Sequence, residues 1–169
     1  MDTFIEKIVH KQKDIIDYLK ILAIFIGGLT VIMASFYFLG QAFLCTIVII
    51  LAGYGGWFLI TSTNTEFEYS FTNNFMDVDK IIAQRKRKRV VSLDIKDFDV
   101  FAKATDENIA KYNSNNSFKK VYVSTNKKND ELYFVVYKDK ETGKAMLFFE
   151  PDDRMIEVIK KYIPQKVAL

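Results

Sequence analysis

Cysteine and histidine occur once each in the 169 residues, as Cys45 and His10. One cysteine excludes a disulfide framework and a cysteine-based zinc site, and one histidine excludes most histidine-dependent metal centres. No glycine-rich phosphate loop, nucleophile–base pair or His-x-x-His spacing is present, so the common catalytic constellations lack their residues. No cofactor or metal is expected, and the chain reads as non-enzymatic. The largest absence is of charge: residues 21–65 contain no Asp, Glu, Lys or Arg over 45 positions. Residues 1–20 carry four Lys and four acids and sum to zero, whereas residues 66–169 carry 20 basic and 17 acidic side chains. That division excludes both a simple soluble globule and a mainly transmembrane transporter, and it leaves an anchored soluble domain.

A helix of 45 residues would run roughly 68 Å, more than twice the ~30 Å hydrocarbon core of a bilayer. Two spans fit where one does not. Gly40-Gln41 is the natural break, giving spans at Ile21–Leu39 and Ala42–Ile60 within an antiparallel hairpin over residues 21–62. Lys11, Lys13 and Lys20 precede the first span, the run Arg85-Lys86-Arg87-Lys88-Arg89 follows the second, and the turn has no basic residue. The positive-inside rule then predicts that both termini are cytoplasmic. The block is too long for the apolar region of a signal peptide, and no small-residue cleavage pattern follows it. Ala23 and Gly27 on the first span, and Ala52 and Gly56 on the second, are four apart; such faces serve packing within the hairpin or a homodimer seam. Trp57, Tyr54 and Lys20 suit the membrane interface. Cys45 reads as a small hydrophobe in mid-bilayer.

Before the spans, Phe4, Ile5, Ile8, Ile15, Tyr18 and Leu19 recur at helical spacing. Residues 1–20 therefore predict an amphipathic helix over 2–18, lying on the inner leaflet or packed on the soluble domain, with His10 as a solvated helix residue.

From residue 64 to 169 the apolar period is close to two. Phe67, Tyr69 and Phe71 alternate with Glu66, Glu68 and Ser70, and Thr72-Asn73-Asn74 is turn chemistry. Further strands read at Phe75–Ala83, Lys88–Ile95, Asp97–Ala102, Lys119–Ser124, Glu131–Lys138 and Lys144–Phe149, with one helical turn around Glu107–Tyr112. A closing helix has Pro151 at its first position, Asp152 and Asp153 opposing the dipole, and Pro164 as its stop. Met155, Ile156, Ile159, Tyr162 and Ile163 line one face, so it caps an apolar surface. The aromatics Phe101, Tyr122, Tyr133 and Tyr137 read as core, with a peptide groove as the alternative. Asp94, Asp97 and Asp99 lack a cation-binding loop and read as a solvated face.

Seven strands in a meander followed by a helix is the element order of a pleckstrin-homology-like barrel. Tyr69-Ser70-Phe71-Thr72-Asn73 is similar to the first turn of bacterial PH-like domains, and Ser92-Leu93-Asp94-Ile95-Lys96-Asp97-Phe98 to their third-to-fourth strand passage. The whole chain resembles an uncharacterised family of small bacterial membrane proteins that join a two-helix transmembrane hairpin to such a domain. The resemblance implies an α+β chain whose hairpin precedes a seven-stranded antiparallel barrel capped by a C-terminal helix. It brings no catalytic residue.

Arg85, Lys86, Arg87, Lys88 and Arg89 are the extreme local feature of the soluble part. Counting strands back from the second span predicts a membrane-proximal turn there. Five charges near an anionic leaflet would gain on the order of 1 kcal/mol each before mutual repulsion. The expectation is a clamp onto anionic phospholipid, with a topogenic charge cluster as the plain alternative. Recruitment of a protein partner through an open sheet edge is the rival function. Nucleic acid is not expected, because the domain lacks a wide basic face.

Overall fold

The computed structural model of the chain describes residues 4–40, 42–112, 118–127, 129–139 and 143–168. They divide into two compact units: residues up to 11 with 66–81 and 86 onward, and residues 12–65 with 82–85.

In the second unit, α1 spans Ile15–Leu39 and α2 spans Ala42–Thr61. The first helix starts six residues before the expected span because Asp14 caps it, its backbone N–H donating to the Asp17 carboxylate at 3.2 Å. Gly40, at φ 58°, ends it in the left-handed conformation that costs glycine least. Gln41 lies outside the described residues. Only 6% of the most apolar window of either helix is buried. Two helices this apolar and this uncovered fit a transmembrane hairpin.

The first unit holds two sheets. One has the order β1-β2-β3-β4, from β1 (Phe4–His10), β2 (Thr65–Thr72), β3 (Phe75–Ile82) and β4 (Lys86–Asp94). The other has the order β6-β8-β7-β5-β9, from β5 (Val100–Lys103), β6 (Lys119–Tyr122), β7 (Tyr133–Asp139), β8 (Gly143–Phe149) and β9 (Val167–Ala168). Seven of these strands fall where alternation predicts them. The expected seven-stranded meander does not hold: nine strands form two sheets. β6 runs parallel to β8, and β9 parallel to β5.

The second correction is at the N-terminus. Residues 4–10 form a strand, not the amphipathic helix expected over 2–18. β1 pairs antiparallel with β2 along its whole length, Ile5 opposite Phe71 and Val9 opposite Phe67. Ile5 and Val9 are buried, and Lys7 between them donates to the Glu150 carbonyl at 2.9 Å. Helical spacing was compatible with these residues, but β2 offers an unpaired edge and an apolar face that a strand covers better. His10 accordingly stands on a strand, 3.3 Å from Glu66.

The main core lies among both sheets and α4 (Asp153–Tyr162), with Phe67, Tyr69, Phe71, Phe98, Phe101 and Met155 fully or almost fully buried. A smaller cluster (Phe134, Val136, Met146 and Phe148) covers the other face of the second sheet, where Ile109 and Tyr112 of α3 (Asp106–Tyr112) pack. With both faces covered, β7 and β8 read as continuous apolar runs. Phe101 and Tyr137 are core, as expected. The cap of α4 is Asp152, which accepts from Met155 N–H at 2.8 Å, so Pro151 precedes the cap instead of occupying the first helical position.

Candidate functional site

β3 ends at Ile82, and Ala83 and Gln84 turn the chain with φ 54° and 55°. Arg85 N–H closes the turn on Ile82 O at 3.1 Å, and Ala83 N–H donates to Asn64 O at 2.9 Å. Two positive φ values fit a type I′ hairpin turn, whose usual occupants are Asn-Gly. Ala and Gln each pay on the order of 1–2 kcal/mol for that conformation. The basic run therefore does not form the turn. Arg85 completes it, and Lys86 to Arg89 open β4.

That shift divides the run, because alternate residues of a strand face opposite ways. Arg87 lies 2.6 Å from Glu68 and 3.8 Å from Asp79. Arg89 lies 2.8 Å from Asp77 and hydrogen-bonds Asp79 through Nε. Lys86 and Lys88 have no carboxylate partner among the described residues. Ser92 also donates to Asp77, at 2.6 Å. Arg89 and Ser92 are three apart yet share that partner, so the alternation slips by one residue between them, as in a β-bulge. The slip returns Val91 and Leu93 to the main core.

Glu68 and Asp79 are 5% and 6% exposed, so two arginines neutralise carboxylates that the fold has taken out of water. Burial raises the Glu68 pKa. The Arg87 charge opposes that rise, Glu6 and Asp79 add to it, and Arg89 again opposes it. Because the folded value lies above the ordinary one, lowering the pH through the interval between them protonates Glu68 and favours the fold. Asp79→Asn is expected to lower the Glu68 midpoint and Arg87→Gln to raise it further, read from its carboxylate carbon shift by NMR. Opposite or absent displacements would contradict this account. Asp94 and Asp152 have the other sign. Burial opposes their ionisation, but it is outweighed at Asp94 by Asn74, Lys96 N–H and the Lys96 charge. At Asp152 it is outweighed by Arg154, Met155 N–H and the charges of Arg154 and Lys7.

Arg85 turns back onto the last turn of α2. Its guanidinium carbon stands 4.2 Å from the Phe58 ring centre and 5.9 Å from that of Trp57. Nη2 donates to Thr61 Oγ1 at 2.6 Å and to Phe58 O at 3.5 Å. A cation here also opposes the negative end of the helix dipole.

Of the other residues singled out in the sequence, Tyr54 and Trp57 are exposed neighbours with ring centres 5.9 Å apart. Lys20 pairs with Asp17 at 3.6 Å near the start of α1. Gly27, Ala52 and Gly56 line a shallow apolar cleft between the helices, of about 380 Å³. A methyl group added at Gly27 or Gly56 would meet nothing within 4 Å, so close packing within the hairpin does not demand glycine there. Ala23 is not among the residues lining that cleft. Cys45 lies in the first turn of α2, near the tip of the hairpin instead of mid-span, and its thiol donates to Ser35 O at 3.5 Å.

Sequence reading missed a cleft of about 720 Å³ beside the smaller core, lined in part by Lys103, Asp106, Lys127 and Asp130. Tyr122 and Phe148 stack in its wall at 4.5 Å. Its charges balance, and the residues come from three separate segments, which hides it from a linear reading. No cluster of three or more His, Cys, Asp or Glu suited to a metal occurs among the described residues. Asp94 caps a short 3₁₀ turn, accepting from Lys96 N–H at 2.9 Å, and Asp99 pairs with Lys144 at 3.0 Å.

A family model described as a bacterial PH-like domain (DUF6106) matches residues 1–169. No curated protein and no solved structure matches the chain.

Proposed function

This chain belongs to the bacterial PH-like domain family, and from that premise we propose that it is a membrane-anchored, non-enzymatic module whose β4 lysines contact anionic headgroups at the inner leaflet. The observation that carries the reading is the division of the basic run. Arg87 and Arg89 are spent on Glu68, Asp77 and Asp79, while Lys86 and Lys88 have no such partner among the described residues. The two lysines follow directly on a turn whose Ala83 N–H is hydrogen-bonded to Asn64, three residues beyond α2. Near an anionic leaflet each basic residue gains on the order of 1 kcal/mol, screened by salt.

The β1–β2 ladder supports the topology. β1 precedes the apolar hairpin and β2 follows it, and strands that share seven paired residues share a compartment. The basic flanks favour the cytoplasm for that compartment. Reporter fusions at the two ends should therefore report the same, cytoplasmic side; opposite sides would end the proposal.

Lipid contact is tested on the full chain in nanodiscs by amine labelling. Lys86 and Lys88 should be labelled several-fold more slowly in phosphatidylglycerol than in phosphatidylcholine, with the difference lost at high salt. Lys160, on α4, serves as the internal control. Equal rates in the two lipids would remove the anionic contact. Capture of the full chain in mild detergent tests the rival reading, a scaffold for a protein partner, which would yield one stoichiometric protein.

A further inference from the structure

The end of α2 holds a cation whose geometry goes beyond diffuse attraction. We propose that Arg85 binds the phosphodiester of a single phospholipid headgroup, a contact that rests on the membrane reading above but not on the net charge of the lipid.

Three observations lead there. The Arg85 guanidinium is held in place from two directions, stacked on Phe58 and hydrogen-bonded through Nη2 to Thr61 Oγ1 and Phe58 O. The turn that presents it is fixed by hydrogen bonds from Ala83 to Asn64 and from Arg85 to Ile82, and it is kept despite two unfavourable positive φ values. Strain that is retained at one place is a pointer to use. Both recorded bonds employ Nη2, so the Nε–H and the two Nη1–H groups have no partner among the described residues. Nε–H and Nη1–H lie on different edges of the guanidinium, so each offers a phosphate oxygen a single charge-assisted hydrogen bond from a cation already held in place.

The neighbouring hydroxyls cannot take that role. Thr61, Ser62 and Thr63 each donate their one hydroxyl proton to a carbonyl of the preceding turn, Phe58, Leu59 and Ile60 respectively. Their lone pairs repel a phosphate oxygen. Arg85, and not these hydroxyls, is therefore the charged donor at this end of the helix, beside an aromatic pair suited to the interface where lipid phosphates lie.

The test uses the full chain in detergent micelles with added phosphatidylglycerol, phosphatidylcholine or a phosphate-free diglucosyl lipid, reading retained lipid by native mass spectrometry. One phospholipid per chain is expected with either phosphatide and none with the glycolipid. Arg85→Lys should retain roughly tenfold less, as a flexible ammonium loses the stacking on Phe58 that holds the guanidinium in place. Lys86→Gln with Lys88→Gln should retain the single lipid, which separates this site from the anionic contact. Millimolar inorganic phosphate should not displace it. Trp57, the sole tryptophan, lies beside Arg85 and gives a second readout: its emission should respond to phospholipid and not to glycolipid. Undiminished retention in Arg85→Lys and Arg85→Gln, equal retention of the glycolipid, or displacement by free phosphate would each overturn the proposal.

Discussion

Deleting residues 2–11 from the full chain is expected to unfold the sheet unit. β1 supplies a seven-residue ladder to β2, and it buries Ile5 and Val9 in the main core. Truncating a buried aliphatic residue costs about 2–5 kcal/mol, so losing two of them with the ladder removes much of a typical stability of about 5–15 kcal/mol. The Lys7 bond to Glu150 O is lost as well. Hydrogen exchange at the β2 amides should rise toward unprotected rates, and the urea transition should become broad or vanish. Val9→Asp, which leaves the chain length intact, should move in the same direction, because it places a charge where 5% of the residue is exposed. A cooperative transition at the native midpoint in both variants would refute the role given to β1. A fragment starting at residue 64 would lack this strand, which is why the lipid experiments require the whole chain.

Glu150→Ala should destabilise the same unit by about 3 kcal/mol. The Glu150 carboxylate is almost fully buried and accepts from Thr125 N–H at 3.0 Å, Thr125 Oγ1 at 2.9 Å and Asn129 Nδ2 at 2.9 Å. Removing it leaves those donors without their acceptor and opens space for a carboxymethyl group. Glu150→Gln keeps the shape but turns one oxygen into a donor facing donors, so a smaller loss, about 1–2 kcal/mol, is expected. Next to this site the Tyr69 hydroxyl donates to Val123 O, and burial raises the Tyr69 pKa far above its ordinary value. The hydroxyl is therefore a fixed donor at any working pH. Urea titrations of the two variants check the order; Glu150→Gln losing as much as Glu150→Ala would show that charge, and not hydrogen bonding alone, sets the cost.

These two sites show where local pattern stops. Glu150 ends an apolar strand in the sequence, and nothing nearby marks it as buried; its donors come from a loop more than twenty residues away. The N-terminal segment is different, because its apolar residues satisfy helix and strand alike and only a partner separates the two. The basic run is an intermediate case. Its last two residues read as strand, and the strand in fact starts two residues earlier, at Lys86, which sorts the run into two faces; the acids that claim Arg87 and Arg89 lie on β2 and β3.

From its sequence alone the chain is determined to have an uncharged tract that fits two apolar helices, a basic run after it, seven alternating strands and an amphipathic closing helix. These are properties of spacing and hydrophobicity along neighbouring residues, and water or lipid acts on them locally. The tertiary structure decided that the first segment is a strand, that strands β6 and β9 pair in parallel, and which basic side chains are left over. Each of those depends on an edge, a face or a carboxylate brought near from distant parts of the chain, and pairing across such separations is a matter of free energy in three dimensions that no local period encodes.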